Sequence, residues 1–187
     1  MIKKYIISFL VLVIICPAIY AKTYISNIEG EITYGSLDKS IIILNKLTKN
    51  DVIIIQINSP GGSVLEEIKI SKAIHNTKGK VVAVVGSQAA SAAGFIMFQA
   101  DEIYVKEYSL ILIHPVWYYN DNSETVICDD QHKKVGDCPT WFAYLISKLN
   151  TLSSYLTSEE RSRVLNGNDV IILGKELSKR NSKIQLY

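Results

Sequence analysis

The chain has 187 residues, of which 48% are hydrophobic, and this is enough for one domain with a sizeable core. Its 20 basic and 18 acidic residues nearly balance and are scattered, which argues against a nucleic-acid-binding protein. The sequence contains no solenoid-length repeat, low-complexity segment or linker, so we expect residues 22–187 to form a single domain.

The first 21 residues differ from the rest and have the pattern of a secretory signal peptide. Lys3 and Lys4 precede an uncharged apolar stretch, and the small residue Ala21 stands at the predicted cleavage site. Cleavage there predicts an exported protein, either periplasmic or secreted. One alternative is an uncleaved membrane anchor, although the apolar stretch is short for a span of ~20 residues. The other is a lipoprotein signal ending at Cys16, which the bulky Ile15 disfavours.

Hydrophobic periodicity predicts strands and helices that alternate along most of the chain. The predicted strands cover residues 23–33, 52–57, 80–85, 102–105, 110–113 and 169–173. The predicted helices cover residues 36–47, 64–74, 89–98, 140–156 and 174–178, and a further helix begins near residue 157. In the second helix, Ile68 is assigned to the apolar positions, and Glu66 and Glu67 are assigned to the polar ones. The alternation predicts α/β layering with a mostly parallel sheet.

Residues 115–139 break this pattern and are predicted to be an ordered loop, with an insertion at about residues 116–138. The only cysteines after residue 21, Cys128 and Cys138, lie there, ten positions apart. In an oxidising compartment this favours a disulfide that closes a local loop. The alternative is a metal site that includes His132. It would have only three evident ligands and lacks the spacing of structural zinc sites, so we predict the disulfide and no metal.

Three local features of the chain could take part in chemistry. Ser59-Pro60-Gly61-Gly62 ends a buried strand, at the edge where open α/β sheets bind ligands, and its unshielded N–H groups could face an oxyanion. Ser91 lies near the start of a helix of small residues, which let a substrate carbonyl approach its hydroxyl. His114 ends a later strand and could accept a proton from a serine. Each feature also has a purely structural interpretation, as a tight turn, a helix cap and a structural histidine.

In this order, the three features resemble the Clp-protease proteolytic subunit (ClpP) and its relatives, including the signal-peptide peptidase A class, within the ClpP/crotonase superfamily. Ile57-Asn58-Ser59-Pro60-Gly61-Gly62 resembles the oxyanion turn of the family, Gln88-Ala89-Ala90-Ser91 its nucleophile motif, and Leu112-Ile113-His114-Pro115 its histidine motif. The resemblance spans roughly residues 25–179. It implies an α/β fold made of a spiral of repeated ββα units, with a mostly parallel sheet flanked by helices.

The resemblance also implies roles for individual residues. Ser91 would be the nucleophile and His114 the general base. The backbone N–H groups of Gly62 and Ala92 would form the oxyanion hole, and Gly61 would shape the turn. No cofactor or metal is implied.

The third member of a catalytic triad is not evident from the resemblance. The family spacing leads to Arg163, which is not an acid, so the candidate is Asp169, the nearest acid before the last predicted strand. Three acids of the insertion are alternatives: Asp129, Asp130 and Asp137. An acid that orients the base can be worth ~10⁴ in kcat. Without one, the site would be weak or silent.

The sequence therefore predicts an exported serine endopeptidase that forms an acyl-enzyme on Ser91 and acts on peptides or unfolded proteins. By resemblance, we expect a homo-oligomer, and membrane contact only if the N-terminal segment is not cleaved. Trp117, Tyr118 and Tyr119 are residue types favoured at contacts, or they cover the edge of the core. One alternative function is a catalytically silent binding or assembly module on the same fold. Another is a crotonase-like enzyme for acyl thioesters, which an exported protein rarely meets.

Overall fold

The computed structural model describes residues 21–187, so the predicted signal peptide lies outside the described residues except for Ala21. The strands are β1 (Thr23–Ile32), β2 (Val52–Gly62), β3 (Lys80–Ala90), β4 (Glu102–Val105), β5 (Leu110–Ile113), β6 (Val116–Tyr119), β7 (Thr125–Cys128), β8 (Val170–Leu173) and β9 (Ile184–Leu186). The helices are α1 (Asp38–Leu44), α2 (Val64–Asn76), α3 (Ala92–Met97), α4 (Cys138–Thr151), α5 (Ser158–Leu165) and α6 (Gly174–Leu177). Over residues 21–187, none of the helices combines the length and apolarity that crossing a membrane requires.

Within the described chain, seven strands form one sheet, and six of them are parallel: β1-β2-β3-β4-β9 in that order, and β5, which also pairs with β3. Strand β3 pairs with two partners on the same side, because residues 82–85 pair with β4 and residues 88–90 pair with β5. Strand β8 adds to β5 in antiparallel orientation. The sheet therefore branches along β3. The predicted α/β architecture, with a mostly parallel sheet flanked by helices, is confirmed.

The core lies around β2, β3 and the short helix α3. The inward-facing side chains of β2, including Ile53, Ile55 and Ile57, are at most 1% exposed. All six residues of α3 are buried, as expected for a helix with apolar or small residues on every side. This helix begins directly after β3, so the end of that strand lies inside the protein rather than at its surface.

Two strands continue further than the sequence pattern predicted. Strand β2 runs through the Pro-Gly-Gly segment to Gly62, and β3 runs to Ala90, where a helix was predicted to begin at Ala89. Neighbouring strands supply the pairing partners, since Gly61 and Gly62 pair with Glu31 and Ile32 of β1. Hydrogen bonds to a strand elsewhere in the sequence leave no local signal. For the same reason, β9 was not predicted.

Helix α2 also departs from its predicted pattern. Glu66 and Glu67 are fully buried, whereas Ile68 is 38% exposed. A carboxylate tolerates burial only when donors surround it. Glu67 has such donors on α2, on α4 and in the turn after α3, as described below, so tertiary contacts override the helical pattern here.

Residues 116–138 contain an antiparallel hairpin formed by β6 and β7, which the sequence pattern did not predict. The predicted disulfide is present between Cys128, the last residue of β7, and Cys138, the first residue of α4. Both cysteines are fully buried. His132, which would have been the third ligand of a metal site with the two cysteines, instead has its Nδ1 2.9 Å from a carboxylate oxygen of Asp129. The disulfide therefore holds the hairpin against the start of α4.

Replacing Cys128 and Cys138 by alanine is expected to lower the free energy of unfolding by ~2–3 kcal/mol, because the disulfide restricts the unfolded chain. Denaturant unfolding of the mature chain with and without reductant measures the change. Reductant should lower the midpoint of the wild type to that of the double variant and leave the double variant unmoved. A wild-type midpoint that is insensitive to reductant would contradict the disulfide.

Candidate active site

A cavity of about 580 Å³ brings the three predicted motifs together. Its lining includes residues 60–62 at the end of β2, Ser91 and Ala92 after β3, and His114 after β5. These strands are parallel to one another, so their carboxyl ends meet at the same edge of the sheet. That edge is where open α/β sheets bind ligands.

Ser91 forms a sharp turn between β3 and α3. Its backbone has φ 54° and ψ −126°, a conformation that non-glycine residues seldom adopt. Among residues 21–187, only Ser123 in the β6–β7 turn shares a positive φ without being glycine. The Ser91 N–H donates to the carbonyl oxygen of Leu112 at 2.7 Å. This hydrogen bond ties the turn to β5, two residues before His114.

The glycine turn lies directly against Ser91. Gly61 has φ +93°, and a Cβ added to it would lie 2.5 Å from the Ala90 carbonyl oxygen and 2.6 Å from the Ser91 Cβ. Only glycine therefore allows this approach. Ala92 is the first residue of α3, so its N–H has no acceptor within the helix. The chain segments that carry the two predicted oxyanion donors, Gly62 and Ala92, are thus adjacent.

His114 is half-buried, and its Nδ1 lies 2.6 Å from the carbonyl oxygen of Pro115. A proton on Nδ1 is donated to that carbonyl, which leaves Nε2 free to accept a proton. Within the described part of the chain, no hydrogen bond joins His114 to the Ser91 hydroxyl or to a carboxylate. The structure brings Ser91 and His114 to one cavity without a direct bond between them.

Asp169, the candidate third member, directly precedes β8. Antiparallel pairing of Ile113 with Val170 places Asp169 next to His114 in the register. Its side chain is exposed and makes no hydrogen bond to His114, while its backbone carbonyl accepts from the Arg163 guanidinium at 3.1 Å. The fold therefore brings this acid beside the histidine but not into contact with it.

Two of the three acids of the insertion have side-chain partners other than His114, and the third, Asp137, is exposed. Asp129 accepts hydrogen bonds from the backbone and the ring of His132. Burial opposes ionisation of Asp129, but the hydrogen bonds from His132 and Gln131 outweigh it and lower its pKa below the ordinary value. Asp130 pairs with Lys133 at 2.6 Å, and Asp137 precedes α4, where its N–H donates to the Tyr118 hydroxyl. Across residues 21–187, no group of three or more His, Cys, Asp or Glu side chains is placed to hold a metal ion.

A buried polar network forms one wall of the cavity, and the sequence pattern missed it. Glu67 and Tyr144 line the cavity, and the Tyr144 hydroxyl donates to the Glu67 carboxylate. Lys148 pairs with the same carboxylate at 2.9 Å, and Gln99 donates to it at 3.2 Å. Ser71, four residues after Glu67 on α2, also donates to it. That spacing is the only local signal, because the other partners are distant in sequence.

Comparisons with known proteins agree with this geometry. A family model described as the N-terminal domain of NfeD1b matches residues 24–114, a range that includes the glycine turn, Ser91 and His114. Among solved structures, the chain is similar to a mutant of 1510-N, described as a membrane-bound stomatin-specific protease. The TM-score is 0.65 and the identity 21%, over 89% of this chain and 79% of that chain. This chain has the ClpP-like fold. No curated protein matches it.

The ClpP-like fold is therefore confirmed, as the three motifs implied. The match to 1510-N covers most of both chains, whereas the NfeD1b model ends at His114. The hairpin, α4 and the segment with Asp169 lie after the range of that model. The family model therefore covers the glycine turn, Ser91 and His114, the three motifs that line the cavity.

Replacing Gly61 by alanine is expected to destabilise the protein by ~2–5 kcal/mol, because the methyl group adds overpacking to an unfavourable φ. Gly35→Ala is the matched control. Its φ is +76°, but an added Cβ would meet only the Asp38 carboxylate, at an ordinary 3.5 Å. We expect a cost of ~1–2 kcal/mol there. Denaturant unfolding compares the two, and equal losses would show that the contact with Ser91 is not tight.

Proposed function

We propose that this protein is an exported serine peptidase that hydrolyses peptide bonds through an acyl-enzyme on Ser91. The observation that carries the proposal is the shared cavity, which contains a serine on a strained turn, a histidine and a glycine turn. Its volume of about 580 Å³ is in the range of ligand sites. Similarity in fold to a solved protease supports the same function.

In the proposed reaction, the Ser91 Oγ attacks the carbonyl carbon of a peptide bond while His114 Nε2 accepts the hydroxyl proton. The negative oxygen of the tetrahedral intermediate accepts hydrogen bonds from the N–H groups of Gly62 and Ala92. As the C–N bond breaks, His114 gives the proton to the leaving amine. Water, activated by the same histidine, then attacks the ester on Ser91 and releases the acid.

The wall of the cavity favours peptides with apolar side chains. Its lining includes Phe95, Trp117, Tyr119 and Trp141. Trp117 and Tyr119 are 48% and 65% exposed, so they form an accessible rim rather than part of the core. Aromatic side chains offer a large apolar surface with little conformational entropy to lose. Peptides or unfolded proteins are the proposed substrates, because both offer apolar side chains next to a peptide carbonyl group.

Export of the protein is part of the proposal and rests on two observations. The N-terminal segment has the pattern of a signal peptide. The disulfide between Cys128 and Cys138 is the type of crosslink that persists in an oxidising compartment. A membrane-anchored form is the alternative. Assembly into a homo-oligomer is proposed only from the resemblance to the ClpP family.

A second candidate function is a catalytically silent binding or assembly module. One observation favours it: in the described chain, neither the Ser91 hydroxyl nor a carboxylate is hydrogen-bonded to the His114 ring. An active enzyme of this kind would need the substrate to bring the serine and histidine together. Catalytic hydrogen bonds are often long in unliganded enzymes and tighten in the substrate complex. Reactivity of Ser91 therefore distinguishes the two functions.

The mature protein is expected to react with a fluorophosphonate probe at Ser91, and the label should be lost in Ser91→Ala and in His114→Ala. The physical reason is that the hydroxyl becomes a strong nucleophile only when the histidine accepts its proton. Mass spectrometry of the labelled peptide gives the measurement.

Ser87→Ala is the matched control for this labelling experiment. Ser87 is an exposed serine four residues before Ser91 and lies outside the lining of the cavity, so its loss should not affect labelling. Absence of labelling in the wild type over a range of pH would favour the silent module. Equal labelling of all four proteins would mean that the probe reacts elsewhere.

Asp169→Asn is expected to lower the fluorophosphonate labelling rate or kcat, by up to ~10⁴-fold if the carboxylate approaches His114 when substrate binds. The control is Asp38→Asn, which removes an exposed acid of α1 outside the lining of the cavity and should leave the rate unchanged. A rate for Asp169→Asn equal to that of the wild type would remove Asp169 from the proposed triad.

A further inference from the structure

Ser59 is a fully buried serine whose hydroxyl joins two backbone groups. Its Oγ donates to the carbonyl oxygen of Gly30 at 2.6 Å and accepts from the N–H of Gly61 at 3.0 Å. Gly30 belongs to β1, and Gly61 is part of the turn against Ser91. The side chain therefore links the edge strand of the sheet to the oxyanion turn.

The bridge stands where regular strand pairing is interrupted. Between β1 and β2, the pairing passes from Glu29 and Asn58 directly to Glu31 and Gly61, so Gly30 and residues 59–60 have no counterparts. Between β2 and β3, the register also shifts, by two residues, beside Ser59. Backbone groups at such irregularities lose their ladder partners. Here the Ser59 hydroxyl takes the place of the missing partners: it donates to the Gly30 carbonyl and accepts from the Gly61 N–H.

The position of Gly61 matters because of what it touches. A Cβ on Gly61 would lie 2.6 Å from the Ser91 Cβ and 3.0 Å from the Ala92 nitrogen. A shift of Gly61 therefore changes the distance between the oxyanion turn and the nucleophile. It also moves the Gly62 N–H, which belongs to the next residue. A displacement of about 1 Å in a catalytic group can cost on the order of 10²-fold in rate.

We propose that Ser59 is the positioning residue of the oxyanion turn. Its hydroxyl holds Gly61 against Ser91 and thereby fixes the direction of the Gly62 N–H, without touching the substrate. This inference rests on the proposed function. The role proposed for Ser59 is new to the site, since Ser59 is not the proposed nucleophile, the proposed base or a proposed oxyanion donor.

The matched control is Ser109, the first residue after the turn that precedes β5. It is 1% exposed, donates to the Gly86 carbonyl oxygen at 2.6 Å and accepts from the Lys106 N–H at 2.9 Å. Its bridge has the same chemistry as that of Ser59, but Ser109 does not line the cavity. Ser59→Ala and Ser109→Ala should therefore lower the melting temperature by similar amounts.

The two variants should differ in reactivity with the fluorophosphonate. Ser59→Ala is expected to lower the second-order labelling rate on the order of 10–10²-fold, whereas Ser109→Ala stays within about twofold of the wild type. The midpoint of the pH profile should not move, because His114 is unchanged. Equal rates in Ser59→Ala and Ser109→Ala would overturn the proposal.

Amide hydrogen exchange gives a readout that does not require catalysis. In Ser59→Ala, the Gly61 amide loses its acceptor and should exchange about tenfold faster or more, while the strand-paired amides of β2 keep their wild-type rates. Unchanged exchange at Gly61 would overturn the proposal even if Ser91 is reactive. If the wild type is not labelled, the peptidase function fails, and the exchange rates still decide whether Ser59 holds the turn.

Discussion

The end of β2 lies against the Ser91 turn with no room for a side chain between them. A Cβ on Gly61 would come within 2.6 Å of the Ser91 Cβ, so the backbone of one strand end packs directly on the other. The positive φ of Ser91 and of both glycines allows this contact. The proposed nucleophile and the proposed oxyanion turn therefore form one unit, and the shape of the cavity depends on it.

Branching of the sheet places the histidine next to this unit. Strand β3 pairs first with β4 and then, nearer its end, with β5. The strand that leads into Ser91 is therefore next to the strand that leads into His114. The hydrogen bond from the Ser91 N–H to the Leu112 carbonyl sets how far the two strand ends are offset along the sheet. Strand β8 extends the arrangement by bringing Asp169 beside His114. Backbone pairing alone thus brings together residues that are more than twenty positions apart in the chain.

The outer wall of the cavity has a different origin. It consists of the β6–β7 hairpin and α4, which the disulfide joins. The Glu67 carboxylate then holds α4 against α2, through Tyr144 and Lys148. Removing one partner of such a buried ion pair is costly, because the other charge then stays buried without compensation. The hairpin that carries the aromatic rim is therefore attached to α4 by the disulfide, and α4 is attached to α2 by the Glu67 network.

The sequence by itself determined the α/β class, the three motifs and the pairing of Cys128 with Cys138, because periodicity, glycine turns and cysteine spacing are local properties. It did not reveal the extension of β2 to Gly62, the burial of Glu67 or the two hydrogen bonds of the Ser59 hydroxyl. These depend on partners at distant positions, such as Gly30 for Ser59 and Lys148 for Glu67. Ser91 illustrates the division. Its neighbours in sequence are compatible with a helix cap or a nucleophile. Its contact with Gly61 and the cavity that it shares with His114 were decided only by the tertiary structure, because they join the ends of separate strands.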